Sequence, residues 1–194
     1  TIFEELLRKF NEENNEEAGE HWTPRDVVEL MADLVFMPIA DKIKDASYSC
    51  YDGACGTGGM LTVAQDRLLT LAKSRGKEVA IHLFGQEINP ETYAICTADM
   101  LLKGDGEEAE HIMYGSTLSD DQHASRQFDF MLSNPPYGKS WKTDAEKMGG
   151  KKEILDTRFN IYFEGGDSMQ MLPSVRDGQL LFLLNNVAKM KKDT

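Results

Sequence analysis

The sequence predicts an α/β fold: a mostly parallel sheet with helices on both faces. Strand-like apolar runs alternate with helix-like amphipathic runs between residues 47 and 134, the signature of a layered sheet whose parallel strands are joined by crossover helices. Each strand-like run also ends in a glycine-rich or polar segment, as expected where ligands gather at the carboxyl edge of such a sheet. With 194 residues, 41% hydrophobic and 9% aromatic, the chain suffices for one full-sized core, so one main domain is the expectation.

Taken in order, "IFEELLRKF" (2–10) has helical apolar spacing, and the acidic "NEENNEEAGE" (11–20) has little to bury. Residues 1–20 therefore read as an N-terminal helix and an acidic linker, and 21–194 as the main domain. In "TPRDVVELMADLVF" (23–36), Thr23 is expected to cap a helix with Pro24 at its first position. Strands are expected at 47–52, 79–88, 111–118 and 128–134, and helices at 58–76 and 89–104. Residues 139–176 carry Gly and charge with little periodicity and are expected to form a long, mobile loop. The run "LLFLLNNVAKMKKDT" (180–194) reads as a helix with no strand after it, and the first residue is Thr1. A truncated fragment of a longer protein is the expectation.

A net charge of -12 argues against a chain that grips nucleic acid unaided, because phosphate binding needs a Lys/Arg surface. The acid is uneven: residues 1–20 hold seven Glu against Arg8 and Lys9, whereas 139–152 hold five Lys against Asp144 and Glu146. A nucleic-acid function would need a basic partner. Cys50, Cys55 and Cys96 have neither C-x-x-C spacing nor a matching His cluster, which disfavours a disulfide frame and a metal site. No apolar run approaches the roughly 20 residues of a membrane span, and no signal-peptide pattern opens the chain, so a cytoplasmic location is expected.

The strand ends carry the chemistry. "YDGACGTGG" (51–59) places Gly53, Gly56, Gly58 and Gly59 in one turn, dense enough for the backbone to approach a nucleotide-like ligand at a helix N-terminus. The bland alternative is a tight strand-to-helix turn. A pyrophosphate is disfavoured, since Leu61 stands where a dinucleotide fingerprint needs Gly and no Gly-Lys-Ser/Thr follows. Asp52 would repel phosphates but suits a cationic amino group, which points to a nucleoside bearing an amino acid. Glu87, after the second strand, can accept both ribose hydroxyls. Ser116 or Thr117 can touch an adenine ring, or equally cap the following turn.

The fourth strand runs into "NPPY". The Asn134 side-chain oxygen and the Pro135 carbonyl can accept two hydrogen bonds from one planar amino group while Tyr137 stacks on the attached ring. Such acceptors favour a pyramidal nitrogen with an available lone pair, and no His or Lys within the motif acts as a base. The alternative is a plain proline-rich turn.

The motifs "EHWTPRDVVELM", "DGACGTGGML", "GQEINP" and "NPPY", in that order, resemble the amino-group DNA methyltransferases that use S-adenosylmethionine, and more closely the modification subunit of type I restriction-modification systems. The resemblance spans residues 19–141 and continues weakly through "SVRDGQLLFL". It implies a Rossmann-like class I methyltransferase sheet and N6-adenine methylation of double-stranded DNA. It further implies a specificity subunit that reads the sequence and, in larger complexes, a nuclease-motor restriction subunit. Carried over residue by residue, His21, Trp22, Thr23, Pro24 and Arg25 would hold the methionine end of the cofactor. Asp52, Ala54, Gly56, Thr57, Gly58 and Gly59 would form its loop, and Glu87 would bind its ribose. Asn134, Pro135, Pro136 and Tyr137 would receive a flipped adenine. Two positions depart from the pattern: Gly53 stands for the usual Pro, loosening the loop, and Ser116 for an Asp that often binds the cofactor adenine. A protein-glutamine methyltransferase, a cytosine-N4 methyltransferase and a non-catalytic assembly subunit are the competing readings.

Overall fold

The computed structural model describes residues 23–103 and 106–192; the expected N-terminal helix and linker, with His21 and Trp22, lie outside them. Helix α1 (Arg25–Phe36) runs into a 3-10 turn, Met37–Lys42, and is followed by β1 (Ala46–Asp52), α2 (Gly59–Ser74), β2 (Val79–Glu87) and α3 (Pro90–Lys103). A single turn, α4 (Glu107–Glu110), leads into β3 (Ile112–Tyr114) and then β4 (Phe130–Met131). The remaining elements are α5 (Lys142–Lys147), a 3-10 turn at Thr157–Phe159, strands β5 (Asn160–Tyr162) and β6 (Ser168–Gln170), and α6 (Gln179–Lys189).

Four strands form one parallel sheet in the order β3-β2-β1-β4. From β1 the chain steps outward through β2 to β3, then returns to the other side of β1 to lay down β4. That reversal opens a crevice at the carboxyl ends of β1 and β4, the switch point where open α/β sheets bind ligands.

Alternation along the central strands sends their side chains to two faces. Cys50 and Leu83 join a cluster with Val28, Ala32 and Phe36 of α1, Leu61, Ala64 and Leu68 of α2, and Cys96 and Met100 of α3. Tyr51 and Phe84 instead pack with Phe128 on the opposite face, where the Tyr51 and Phe128 rings stack at 4.5 Å. There Lys189 of α6 lies 5.9 Å from the centre of the Tyr51 ring. Apolar residues on both faces explain the nearly continuous hydrophobic strands.

Several local expectations need correction. Thr23 does not cap α1: Pro24 holds the cap position without a side-chain bond, and its carbonyl accepts from the amides of Val27 and Val28. The Thr23 hydroxyl is engaged elsewhere, at the site described below. The third strand stops early because Gly115, at φ 137°, turns the chain after Tyr114. The fourth is short because Asp129 replaces a ladder bond: its Oδ2 accepts from the Ser49 amide at 2.8 Å and the Ser49 hydroxyl at 2.7 Å.

The largest correction concerns 139–176, which is built structure rather than a long loop. Trp141, Ala145, Ile154 and Phe159 are buried with Leu118 and Leu181 in a separate cluster, and β5 and β6 pair as an antiparallel hairpin. The apolar residues are spaced too irregularly to show helical or strand period, so only the tertiary contacts reveal them. Beyond α6 the backbone turns alongside the start of β4, where Met190 forms an isolated parallel bridge with Phe128; among the described residues no strand follows α6, as expected.

Phe159 is fully buried at the centre of the separate cluster. Phe159→Ala should cost about 3–5 kcal/mol in urea unfolding and raise hydrogen exchange most in residues 139–176. Unchanged exchange in that segment would show that its burial does not hold it together.

Candidate active site

A cleft of about 520 Å³ lies at the switch point, bounded by Gly53, Ala54 and Gly56 after β1, Glu87, Ile88 and Asn89 after β2, and 115–118 after β3. Asn134, Pro135, Pro136 and Tyr137 after β4 complete one wall, and Trp141, Asp144 and Phe182 another. Four loops separated in sequence therefore converge because parallel strands deliver them all to one edge.

The loop after β1 is shaped by close approach. Gly58 sits at φ 80°, and a Cβ there would lie 2.7 Å from Cys96 Sγ and 2.8 Å from Met100 Cε, so only glycine lets α2 start against α3. Gly53 is likewise confined: a Cβ there would lie 2.9 Å from the Tyr51 hydroxyl oxygen and 3.0 Å from Thr117 Cγ2. The expectation that Gly53 loosens the loop is corrected on this point, since the Thr117 hydroxyl donates to the Gly53 carbonyl and ties it to the end of β3.

Asp52 lies under this loop, 2% exposed, with Oδ1 accepting from the Ala54 amide at 2.9 Å. Burial, reinforced by the neighbouring Glu87 carboxylate, pushes its carboxyl from 3.8 up to about 7 against the opposing hydrogen bonds. A cationic group near Asp52 would reverse that shift. Glu87 staples two turns: Oε2 accepts from the Gly56 amide at 2.8 Å and Oε1 from the Asn89 amide at 2.7 Å. Each oxygen keeps a second lone pair, so the carboxylate can still accept hydroxyl donors from a ligand.

At the end of β3, Ser116 and Thr117 are buried, and the Ser116 and Ser119 hydroxyls donate to Asp144 Oδ1 at 2.6 and 2.7 Å. Ser116 also accepts from the Leu118 amide at 3.2 Å, so it caps the following turn while lining the cleft. Beneath this turn, two side chains that sequence reasoning missed hold the backbone. Gln86, fully buried, donates to the Asp120 carbonyl at 2.7 Å and accepts from the Gln122 amide at 3.2 Å. Arg158 donates to the Thr117 and Leu118 carbonyls at 2.8 and 2.9 Å while pairing with Asp156 and Asp121. Only an apolar strand interrupted by Gln hinted at the first; the second lay in the segment read as a loop.

After β4, Asn134 Nδ2 donates to Thr23 Oγ1 at 3.1 Å. That bond uses one of the two Nδ2 hydrogens, and Oδ1 is the acceptor of the group. Tyr137 is 65% exposed at the mouth of the cleft, with a ring face available to a planar ligand.

Of the sequence-derived candidates, Ala54, Gly56, Glu87, Ser116, Thr117, Asn134, Pro135, Pro136 and Tyr137 line the cleft. Asp52, Thr57, Gly58 and Gly59 do not line it, and Thr23 reaches it through Asn134. Arg25 is not drawn in; it pairs with Glu29 along α1 at 3.1 Å. Pro24 serves as the helix cap instead.

The sheet order and the switch-point cleft define a doubly wound α/β fold of the kind that binds nucleotide-like ligands. The chain belongs to the N-6 DNA Methylase family, whose model matches residues 1–193. It is 32% identical over 167 residues to the type I restriction enzyme MpnII methylase subunit of Mycoplasma pneumoniae, covering 81% of this chain and 28% of that protein. It is 30% identical over 150 residues to the EcoEI methylase subunit of Escherichia coli, covering 75% and 29%. Among solved structures, the type I restriction-modification methyltransferase subunit of Streptococcus thermophilus superposes with a TM-score of 0.68 at 26% identity, over 98% of this chain and 36% of that one. The chain thus spans under a third of the length of the two curated relatives. Among the described residues, no helix is long and apolar enough to cross a membrane.

Asp52 sets a pH dependence. Its carboxyl holds a proton more tightly folded than unfolded, so its contribution to stability is complete below about 3.8 and is lost as pH rises through about 7. Across that window ligand-free wild type should lose stability relative to Asp52→Asn, by at most ~1.4 kcal/mol per pH unit, in urea unfolding. Parallel pH profiles for the two proteins would contradict the assignment.

Proposed function

We propose that this chain is the catalytic part of a type I modification subunit, which transfers the methyl group of S-adenosylmethionine to N6 of an adenine in double-stranded DNA. The observation that carries the reading is the Asn134 carboxamide, turned by Thr23 so that its oxygen is left to accept at the mouth of the glycine-loop cleft. Family membership supports the adenine target, and the names of the relatives support the restriction-modification setting.

The residues fit such a cofactor. In this proposal, Asp52 beneath the glycine turn answers the ammonium of the methionine moiety, and the backbone of the 53–59 turn lines the path of its chain. Glu87 accepts from the ribose hydroxyls with the lone pairs left by Gly56 and Asn89. The bound cofactor supplies an electrophilic methyl on sulfonium sulfur.

On the substrate side, Asn134 Oδ1 and the Pro135 carbonyl accept the two hydrogens of a flipped adenine amino group, and Tyr137 stacks on the purine. These acceptors favour nitrogen lone-pair density for the new N–C bond, formed as the cofactor's S–C bond breaks, and the proton shed by the methylated nitrogen leaves to water; rate enhancement rests on positioning and electrostatics rather than on a base within the motif. The net charge of -12 is reconciled with a DNA substrate by a specificity subunit that supplies sequence recognition and, in larger complexes, a restriction subunit. The assembly would act in the cytoplasm.

The test is methyl transfer to duplex DNA by the full-length protein with its specificity partner. Tyr137→Ala should lower single-turnover methylation by about 5- to 150-fold, since base–aromatic stacking contributes about 1–3 kcal/mol, with cofactor affinity nearly unchanged. An unaltered methylation rate would exclude the stacking role. Glu87→Ala should do the reverse and weaken cofactor binding by about tenfold or more. Equal affinity there would remove the ribose assignment.

A further inference from the structure

After β3 the cleft is lined by Ser116, and a carboxylate reaches it there from another element. It arrives from α5, in the segment that directly follows Asn134 to Tyr137. Asp144 lines the cleft, and its Oδ1 accepts from both Ser116 and Ser119. Among the described residues, no donor is bonded to its Oδ2.

The position of Asp144 is built, not incidental. Trp141, 1% exposed, donates through its indole N–H to the Ser174 carbonyl at 2.8 Å and through its backbone N–H to the Val175 carbonyl at 3.0 Å. Ala145, 4% exposed, packs beside it in the cluster with Leu118 and Leu181. The neighbouring cleft walls are Ile88 after β2, Leu118 after β3, and Trp141 and Phe182. Apolar walls with a carboxylate at their edge are suited to a flat aromatic ring that carries an amino donor.

We propose that Asp144 is the acceptor for the exocyclic amino group of the cofactor's purine, delivered from later in the same chain by α5 and aligned by Ser116 and Ser119. The assignment rests on the function proposed above and adds to it a residue outside the four motif segments. It also makes the purine pocket and the segment following the target-base motif share one element. Cofactor binding would then steady the backbone next to Tyr137, because α5 is bonded at once to the ligand and to the end of β3.

The experiment pairs a ligand change with a side-chain change. In the full-length protein, affinities are measured calorimetrically for S-adenosylhomocysteine and for its analogue with hydrogen in place of the purine 6-amino group. Wild type should prefer the amino compound about tenfold or more, the range for a hydrogen bond to a charged acceptor, and Asp144→Ala should bind both equally. A merely structural role for Asp144 would weaken both ligands and leave their ratio intact, and that result would overturn the proposal. Should Asp144→Ala bind neither compound, Asp144→Asn takes its place; it keeps an acceptor but no charge, so the ratio should shrink, and an unchanged ratio counts against the proposal. Equal binding of the two ligands by wild type also overturns it while leaving the methyltransferase reading intact. Failure of wild type to bind S-adenosylhomocysteine at all would instead remove the reading on which it rests.

Discussion

Every part of the site depends on β1 lying between β2 and β4 with all strands parallel. Parallel pairing forces each strand to end at the same edge of the sheet, and the reversal of strand order at β1 separates the turns on either side of it. The gap between those turns is the cleft. If β4 paired on the far side of β3, Asn134 would be carried away from the glycine loop, and neither motif would have a counterpart to act on.

Strand order alone does not hold loops still, and a second layer of polar ties does so. Glu87 bonds the turns after β1 and β2, Thr117 bonds the ends of β3 and β1, and Thr23 bonds the entry to α1 to the end of β4. Beneath them lies a cluster of buried charge: Lys189 and Arg158 approach Asp121 at 2.7 and 3.1 Å, and Arg158 reaches up to two carbonyls of the β3 turn. Buried ion pairs of this kind contribute little net stability compared with apolar packing, but removing one partner leaves an unpaired charge at high cost. Their place here is positional, since they fix the backbone that forms one wall of the cleft.

Much of this architecture was legible in the sequence because parallel strands and their helices leave a regular pattern, and because the glycine turn and NPPY have few other physical explanations. The pattern failed where contacts are long-range. Thr23 looked like a helix cap because it precedes Pro24, and nothing local reveals that its hydroxyl is needed 111 positions away at Asn134. Gly53 looked like a loss of stiffness, yet two side chains, Tyr51 and Thr117, leave no room for a Cβ. Residues 139–176 looked like a loop because Trp141, Ile154 and Phe159 follow neither helical nor strand period. Their burial comes from meeting Leu118 and Leu181 across the fold. Asp144 was hidden for the same reason, its partners being Ser116 and Ser119.

The central claim is that the switch-point cleft holds a nucleoside bearing a cationic amino acid rather than a dinucleotide. Calorimetric titration of the full-length protein with S-adenosylmethionine, with NAD as the comparison, tests it most directly. The account predicts saturable binding of the methyl donor and none of NAD at the same concentrations. Equal binding of the two, or binding of NAD alone, would contradict it, because Asp52 beneath the glycine loop would then be facing a pyrophosphate.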